Sequence, residues 1–145
     1  MTATALVRSA IAADLDEIWP LASALATSYV VTPTAFRSVF ERLVDAPGVL
    51  LLVAESDRRV VGYLLAQKHH TFHANGPVLW VEELMVAPQH RGAGIGRALM
   101  TAAELWGNES GAAYVCLATR RAAGFYSALG YEPSASYFKR SLPGR

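Results

Sequence analysis

The stretch Glu82-Glu83-Leu84-Met85-Val86-Ala87-Pro88-Gln89-His90-Arg91-Gly92-Ala93-Gly94-Ile95-Gly96-Arg97-Ala98-Leu99 constrains this chain more than any other. An apolar, strand-like run passes through alternate glycines, Gly92, Gly94 and Gly96, directly into a helical pattern. Glycine lets successive amide hydrogens converge on one point with no side chain in the way. The helix that follows adds unpaired amide donors and the positive end of its dipole. A loop of this kind is a cradle for a pyrophosphate. The Walker pattern is absent, because it needs four residues between two glycines and then Lys and Ser/Thr. The dinucleotide fingerprint fails as well: its last glycine would fall at Arg97 or Leu99, and this loop follows the fourth strand, not the first. A plain glycine-rich turn is the bland alternative.

The flanking sequence supplies the rest of the fold. Leu6 to Ala10 reads as a strand, and Asp14 to Ala26 as a helix with Asp14 and Glu17 in a capping box. Pro20 predicts a kink or a break in that helix. Thr32 and Pro33 open a second helix carrying Phe36, Val39, Phe40, Leu43 and Val44, stopped by Pro47-Gly48. Val49 to Glu55 and Val60 to Gln67 read as strands around the turn Ser56-Asp57-Arg58-Arg59. His69 to Pro77 reads as a loop, Val78 to Val86 as a strand and Ile95 to Trp106 as a helix. Ala113 to Leu117 then reads as a buried strand, Arg121 to Leu129 as a helix ended by Gly130, and Tyr131 onward as one or two strands. The order is strand, two helices, three strands, helix, strand, helix, strand or strands. Such an order makes an α/β (α+β) mixed sheet with helices on both faces.

At 145 residues the chain has the length of one domain, taken as 1–145, and 52% hydrophobic against 17% charged residues excludes disorder. Lys and Arg total 13 against 12 Asp and Glu, a balance that argues against nucleic-acid binding and against a polybasic membrane anchor. Neither Val49 to Ala54 nor Val60 to Ala66 is long enough to span a bilayer, and residues 1–8 do not read as a secretory signal. The single Cys116 fits a reducing, cytoplasmic setting.

Gln89-x-x-Gly92-x-Gly94, or equally Arg91-x-x-Gly94-x-Gly96, resembles the acyl-coenzyme A motif of the GNAT superfamily of N-acetyltransferases. Phe125-Tyr126-x-x-x-Gly130-Tyr131 and the element order along nearly the whole chain resemble it too. The resemblance implies the GNAT-type acyl-CoA N-acyltransferase fold, acetyl-CoA as cosubstrate, no metal, and an amine acceptor that is a small molecule or peptide. It assigns pyrophosphate contacts to Gly92, Ala93, Gly94, Ile95, Gly96 and Arg97, with Arg91 starting the loop. Pantetheine would add to a splayed strand edge through the main chain of Leu84, Met85 and Val86. Tyr126 falls on the family's tyrosine beside the coenzyme sulfur. Thr119 stands where many relatives carry an asparagine that holds the pantetheine.

For the base, strand alternation puts Glu82 on a face with Trp80, Leu84 and Val86, and Glu83 on a face with Val81 and Met85. Glu82 is the candidate and Glu83 the alternate, against the bland reading of a structural ion pair. With no supported Cys nucleophile, direct attack in a ternary complex is expected, and Cys116 reads as core. His69, His70 and His73 lack acidic or cysteine neighbours in sequence for a zinc site and are read as bordering the acceptor pocket or solvated. In the family the acceptor is shaped by the segment here at Ser28 to Thr32, with Tyr29, and by terminal strands, here with Tyr137. Few acidic residues lie there, which disfavours a polycation such as an aminoglycoside. A terminal strand edge would serve a homodimer. The rival from another class is a catalytically silent coenzyme A sensor.

Overall fold

The computed structural model describes residues 5–144, so the first four positions of the start read above as lacking a leader lie outside the described residues. Five strands form one sheet in the order β1 (Leu6–Ser9), β2 (Val49–Ser56), β3 (Arg59–Thr71), β4 (Gly76–Val86) and β5 (Val115–Leu117). The first three pairings are antiparallel and β4–β5 is parallel. Residues Leu50, Leu52, Ala54, Leu64, Leu79 and Val81 meet Ile95, Leu99, Met100 and Ala103 of helix α3 (Ile95–Glu109) on one face. Leu51, Val53, Tyr63, Leu65 and Met85 meet Ile18 and Leu21 of α1 (Leu15–Leu25) and Phe40 of α2 (Pro33–Leu43) on the other. Period-two alternation in β2 and β3 thus feeds two cores at once, as a sheet covered on both faces requires. Among the described residues no helix is long and apolar enough to cross a membrane.

Several local expectations are corrected. Asp14 does not cap α1 with its side chain; its carboxylate accepts from the Ile11 amide at 2.8 Å and is gripped by Arg8 at 2.8 and 2.9 Å. Glu17 instead accepts from the Val60 amide on β3. Of the kink or break expected at Pro20, the break is absent: α1 runs through Pro20 as one element, with Ile18 and Leu21 buried on either side of it. The histidine-rich segment is largely strand: His69, His70 and Thr71 pair with Val78, Pro77 and Gly76, leaving a short turn in which Asn75 has φ 59°. Cross-strand hydrogen bonding overrides the polar composition there. The turn between β2 and β3 is as expected, with Asp57 and Arg58 both left-handed at φ 50° and 64°, the twist a tight hairpin favours.

Strand β5 is shorter than expected and half-buried along its length, so Cys116 sits at a sheet edge and not in the core. Helix α3 runs on to Glu109, and α4 covers only Ala123–Ala128. No strand follows Tyr131 among the described residues, and positions 132–144 are exposed.

Candidate active site

Register decides the site. Leu65 pairs with Glu83 but the next residue, Ala66, pairs with Val81, so Glu82 is an extra residue in β4. A bulge of this kind reverses the alternation downstream of it. Val81 belongs to the α3 face, whereas Glu83 reaches Tyr63 on the opposite face and Leu84 and Val86 return to α3. The faces assigned above are therefore corrected in part: Glu83 shares its face with Met85 but not Val81, and Glu82 and Trp80 both flank His69 but part from Leu84 and Val86, so both carboxylates and Trp80 stand clear of the α3 core. No sequence signal marks the bulge beyond two adjacent acids within an apolar strand.

The bulge also redirects the backbone. Before it, Leu79 donates to the Tyr114 carbonyl leading into β5. After it, Ala87 donates to Val61 on β3, so alternation turns the peptide groups of Val86 and Leu84 to the β5 side and that of Met85 to β3. Pairing with β5 stops at Val81–Leu117. Strand β5 ends there, and on that side β4 has no strand partner over Leu84 to Val86 among the described residues. Arg91 closes the far end: its Nε donates to the Val86 carbonyl at 3.0 Å and its amide bonds Pro88, so it anchors the loop to β4.

The glycine loop begins at that anchor. Gly92 and Gly94 have φ 81° and 84°, and a Cβ at either would meet nothing, so backbone conformation alone demands glycine there. Gly96 is different: a Cβ would lie 3.1 Å from the Phe125 ring, so this glycine lets α4 approach α3. The first backbone amide to find a partner is Ala98, bonded to the Gly94 carbonyl. Among the described residues no partner is found for the six amides of Gly92 to Arg97. Free amides at a helix start, with alternating left-handed residues before them, suit an anion.

Around this edge lie the side chains. The Glu82 side chain is 32% exposed and its Oε1 faces His69 Nε2 at 3.6 Å. His69 in turn stacks on Trp80, with ring centroids 5.9 Å apart and planes 11° from parallel. Burial pushes the Glu82 carboxyl above its ordinary value, His69 opposes that, and Glu83 adds to it. Glu83 accepts a 2.6 Å hydrogen bond from the buried Tyr63 hydroxyl, whose pKa is driven up by burial and then by that carboxylate. Tyr126 is half-buried against the α3 core, edge-on to Phe125 and Tyr131, with its pKa raised by burial. Thr119 Oγ1 accepts from the Ala122 amide at 3.0 Å, bracing the turn into α4 while its own hydrogen stays free to donate. Cys116 Sγ rests 3.7 Å from the Leu79 carbonyl, and burial, then Glu82, raise the thiol. The terminal Tyr137 ring lies 6.5 Å from Trp80.

A cavity of about 390 Å³ opens between α1, α2 and the sheet, with Glu83 and Tyr63 among its walls. Val31, from the segment expected to shape an acceptor, lines it; Tyr29 of that segment is exposed. Sequence reading missed this cavity and the Tyr63–Glu83 pair, which long-range packing alone creates.

The acetyltransferase (GNAT) domain family matches residues 47–133, more than half of the chain. The chain belongs to the GNAT acetyltransferase family. An aminoglycoside N(6')-acetyltransferase type 1 of Stenotrophomonas maltophilia is 35% identical over 75 residues, 49% of this chain. The match spans about half, 48%, of that relative's length. In three dimensions the chain resembles an aminoglycoside N-acetyltransferase, AAC(6')-Iy, in complex with CoA (TM-score 0.86, 20% identity, 99% of this chain and 97% of that one). It also resembles glucosamine-6-phosphate N-acetyltransferase from Arabidopsis thaliana (TM-score 0.83, 18% identity, 96% and 99% covered). The expected GNAT fold is thereby established.

Proposed function

We propose that this chain, as one acetyltransferase domain over 1–145, transfers the acetyl group of acetyl-CoA to a primary amine of a small molecule or peptide. The observation that carries this reading is the row of six unpartnered amides from Gly92 to Arg97 beside the open edge of β4. Those amides hold the pyrophosphate, and the Leu84 and Val86 peptide groups pair with pantetheine as a neighbouring strand would. The Val86 amide, or that of Leu84, polarises the thioester carbonyl. Arg91 keeps the loop and the strand end in register, and Thr119 offers its hydroxyl hydrogen toward the pantetheine.

Glu82, with its raised pKa, takes a proton from the acceptor ammonium, directly or through one water, and so frees the amine lone pair that attacks. The amine nitrogen bonds to the acetyl carbon, the carbon–sulfur bond breaks, and Tyr126 positions the leaving sulfur and returns a proton to it. Cys116 is not the nucleophile: its thiol is held protonated by burial and by Glu82, which favours direct attack in a ternary complex. Thiol release, assayed with acetyl-CoA and a panel of primary amines, tests the reading. Release that depends on an acceptor supports it; coenzyme binding with no release for any amine assigns the chain to a sensor.

A further inference from the structure

The α1–α2 cavity carries an inference about the acceptor. Its walls are apolar, with Leu25, Val31, Phe36, Val39 and Leu65 among them, and among the described residues Glu83 is the one charged residue in its lining. The carboxylate is fixed in place: Oε1 takes the Tyr63 hydroxyl at 2.6 Å, and Oε2 has no hydrogen-bond donor among the described residues. Glu83 follows the bulge at Glu82 directly and precedes Leu84, where the open edge of β4 begins. A cavity of about 390 Å³ lies within the range that encloses a small ligand.

We propose that the acceptor is a monoamine with an apolar body, an alkylamine or arylalkylamine, seated in this cavity with its ammonium on Glu83. One carboxylate in apolar walls matches one cation with a hydrocarbon tail. A second ammonium, or a set of hydroxyls, entering the same space would leave water and find no partner there. Tyr63 acts as a positioning residue, holding the carboxylate toward the cavity. The reaction assigned to this amine rests on the acetyltransferase reading above, but the cavity's binding chemistry does not.

The test is calorimetry on the full chain without coenzyme, titrating n-propylamine through n-octylamine and 2-phenylethylamine, with spermidine as the polycation. Each added methylene is expected to tighten binding about three- to fourfold until the cavity is full. Spermidine is expected to bind more weakly than hexylamine. Glu83→Gln and the cavity-filling Ala22→Phe are each expected to weaken hexylamine at least about tenfold. Circular dichroism and the acetyl-CoA affinity of Ala22→Phe, away from the glycine loop, check that its fold is intact. Affinity independent of chain length, spermidine binding tighter than hexylamine, or hexylamine binding indifferent to both substitutions overturns the proposal. Acetyl-CoA titrated into the same protein separates the two readings. No coenzyme binding with an intact alkylamine series defeats the acetyltransferase reading alone; the reverse result defeats the monoamine alone.

Discussion

Replacing Gly94 by alanine isolates the conformational demand of the loop. Its φ is +84°, and a Cβ built there meets no atom within 4 Å, so the substitution causes no clash. The whole cost is the left-handed conformation, about 1–2 kcal/mol for an L-residue. A stiffer unfolded chain offsets about 0.4–1 kcal/mol of that. The net, about 1 kcal/mol, has two outlets. If Gly94→Ala keeps the left-handed geometry, stability falls and Tm drops by about 4 °C in a domain of this size. If the loop relaxes to negative φ, Tm holds and the amides turn away from the coenzyme, weakening it about fivefold or more. Thermal denaturation and calorimetry with coenzyme A, run on one preparation, therefore have a joint outcome: at least one must move. Gly94→Asn, with a side chain that tolerates the left-handed region, should lie between wild type and the alanine variant. Unchanged Tm together with unchanged coenzyme affinity in Gly94→Ala would overturn this explanation of the loop.

Glu82→Gln should lower kcat by about 10²–10⁴ and remove the acidic limb of its pH profile. The sign follows from the raised pKa: Glu82 works as the carboxylate, so wild-type activity falls as pH drops through a value above the usual carboxylate range. Tyr126→Phe should reduce kcat at least about tenfold with little change in coenzyme affinity, read by steady-state kinetics beside calorimetry. An equal loss in both would assign Tyr126 to binding alone. Asp14→Asn should cost about 1.5–3 kcal/mol in denaturant unfolding, because it weakens the charged hydrogen bonds to Arg8 while leaving that part-exposed guanidinium paired with Glu55. Arg8 holds the Asp14 carboxyl below its ordinary value, so that stabilisation is present above the unfolded pKa and is lost on acidification through the lower folded one. The unfolding free energy of the variant, measured by denaturant titration across acidic pH, should accordingly depend less steeply on pH.

The strand–glycine loop–helix unit and the two-faced sheet are legible in the sequence because each rests on local rules. Alternation in β2 and β3, the Thr32-Pro33 helix start and the glycine spacing act over a few residues. Thr32 does accept from the Ala35 amide as its cap. Non-local pairing is not legible. The bulge at Glu82 depends on how β3 aligns with β4, and a one-residue slip is enough to exchange the faces of Glu83, Leu84 and Val86. The Asp14 carboxylate goes to Arg8, six residues before it, and the pairing of β1 with β2 brings the distant Glu55 to the same guanidinium. Aromatics in the tail after Tyr131 suggest strand, yet Tyr137 and Phe138 are 62% and 90% exposed and outside the sheet. Gly96 groups by spacing with the anion-binding glycines, and spacing alone does not reveal the Phe125 ring against it.

The functional reading rests on main-chain nitrogens from Gly92 to Arg97 gripping the diphosphate of coenzyme A. Backbone amide chemical shifts of isotopically labelled protein, followed through a coenzyme A titration, report on those nitrogens one by one. Saturable shifts are expected at these six amides and at Leu84 and Val86, with ATP and NAD failing to reproduce the pattern. Saturation that leaves residues 92–97 unmoved, or no saturation at all, would overturn that reading.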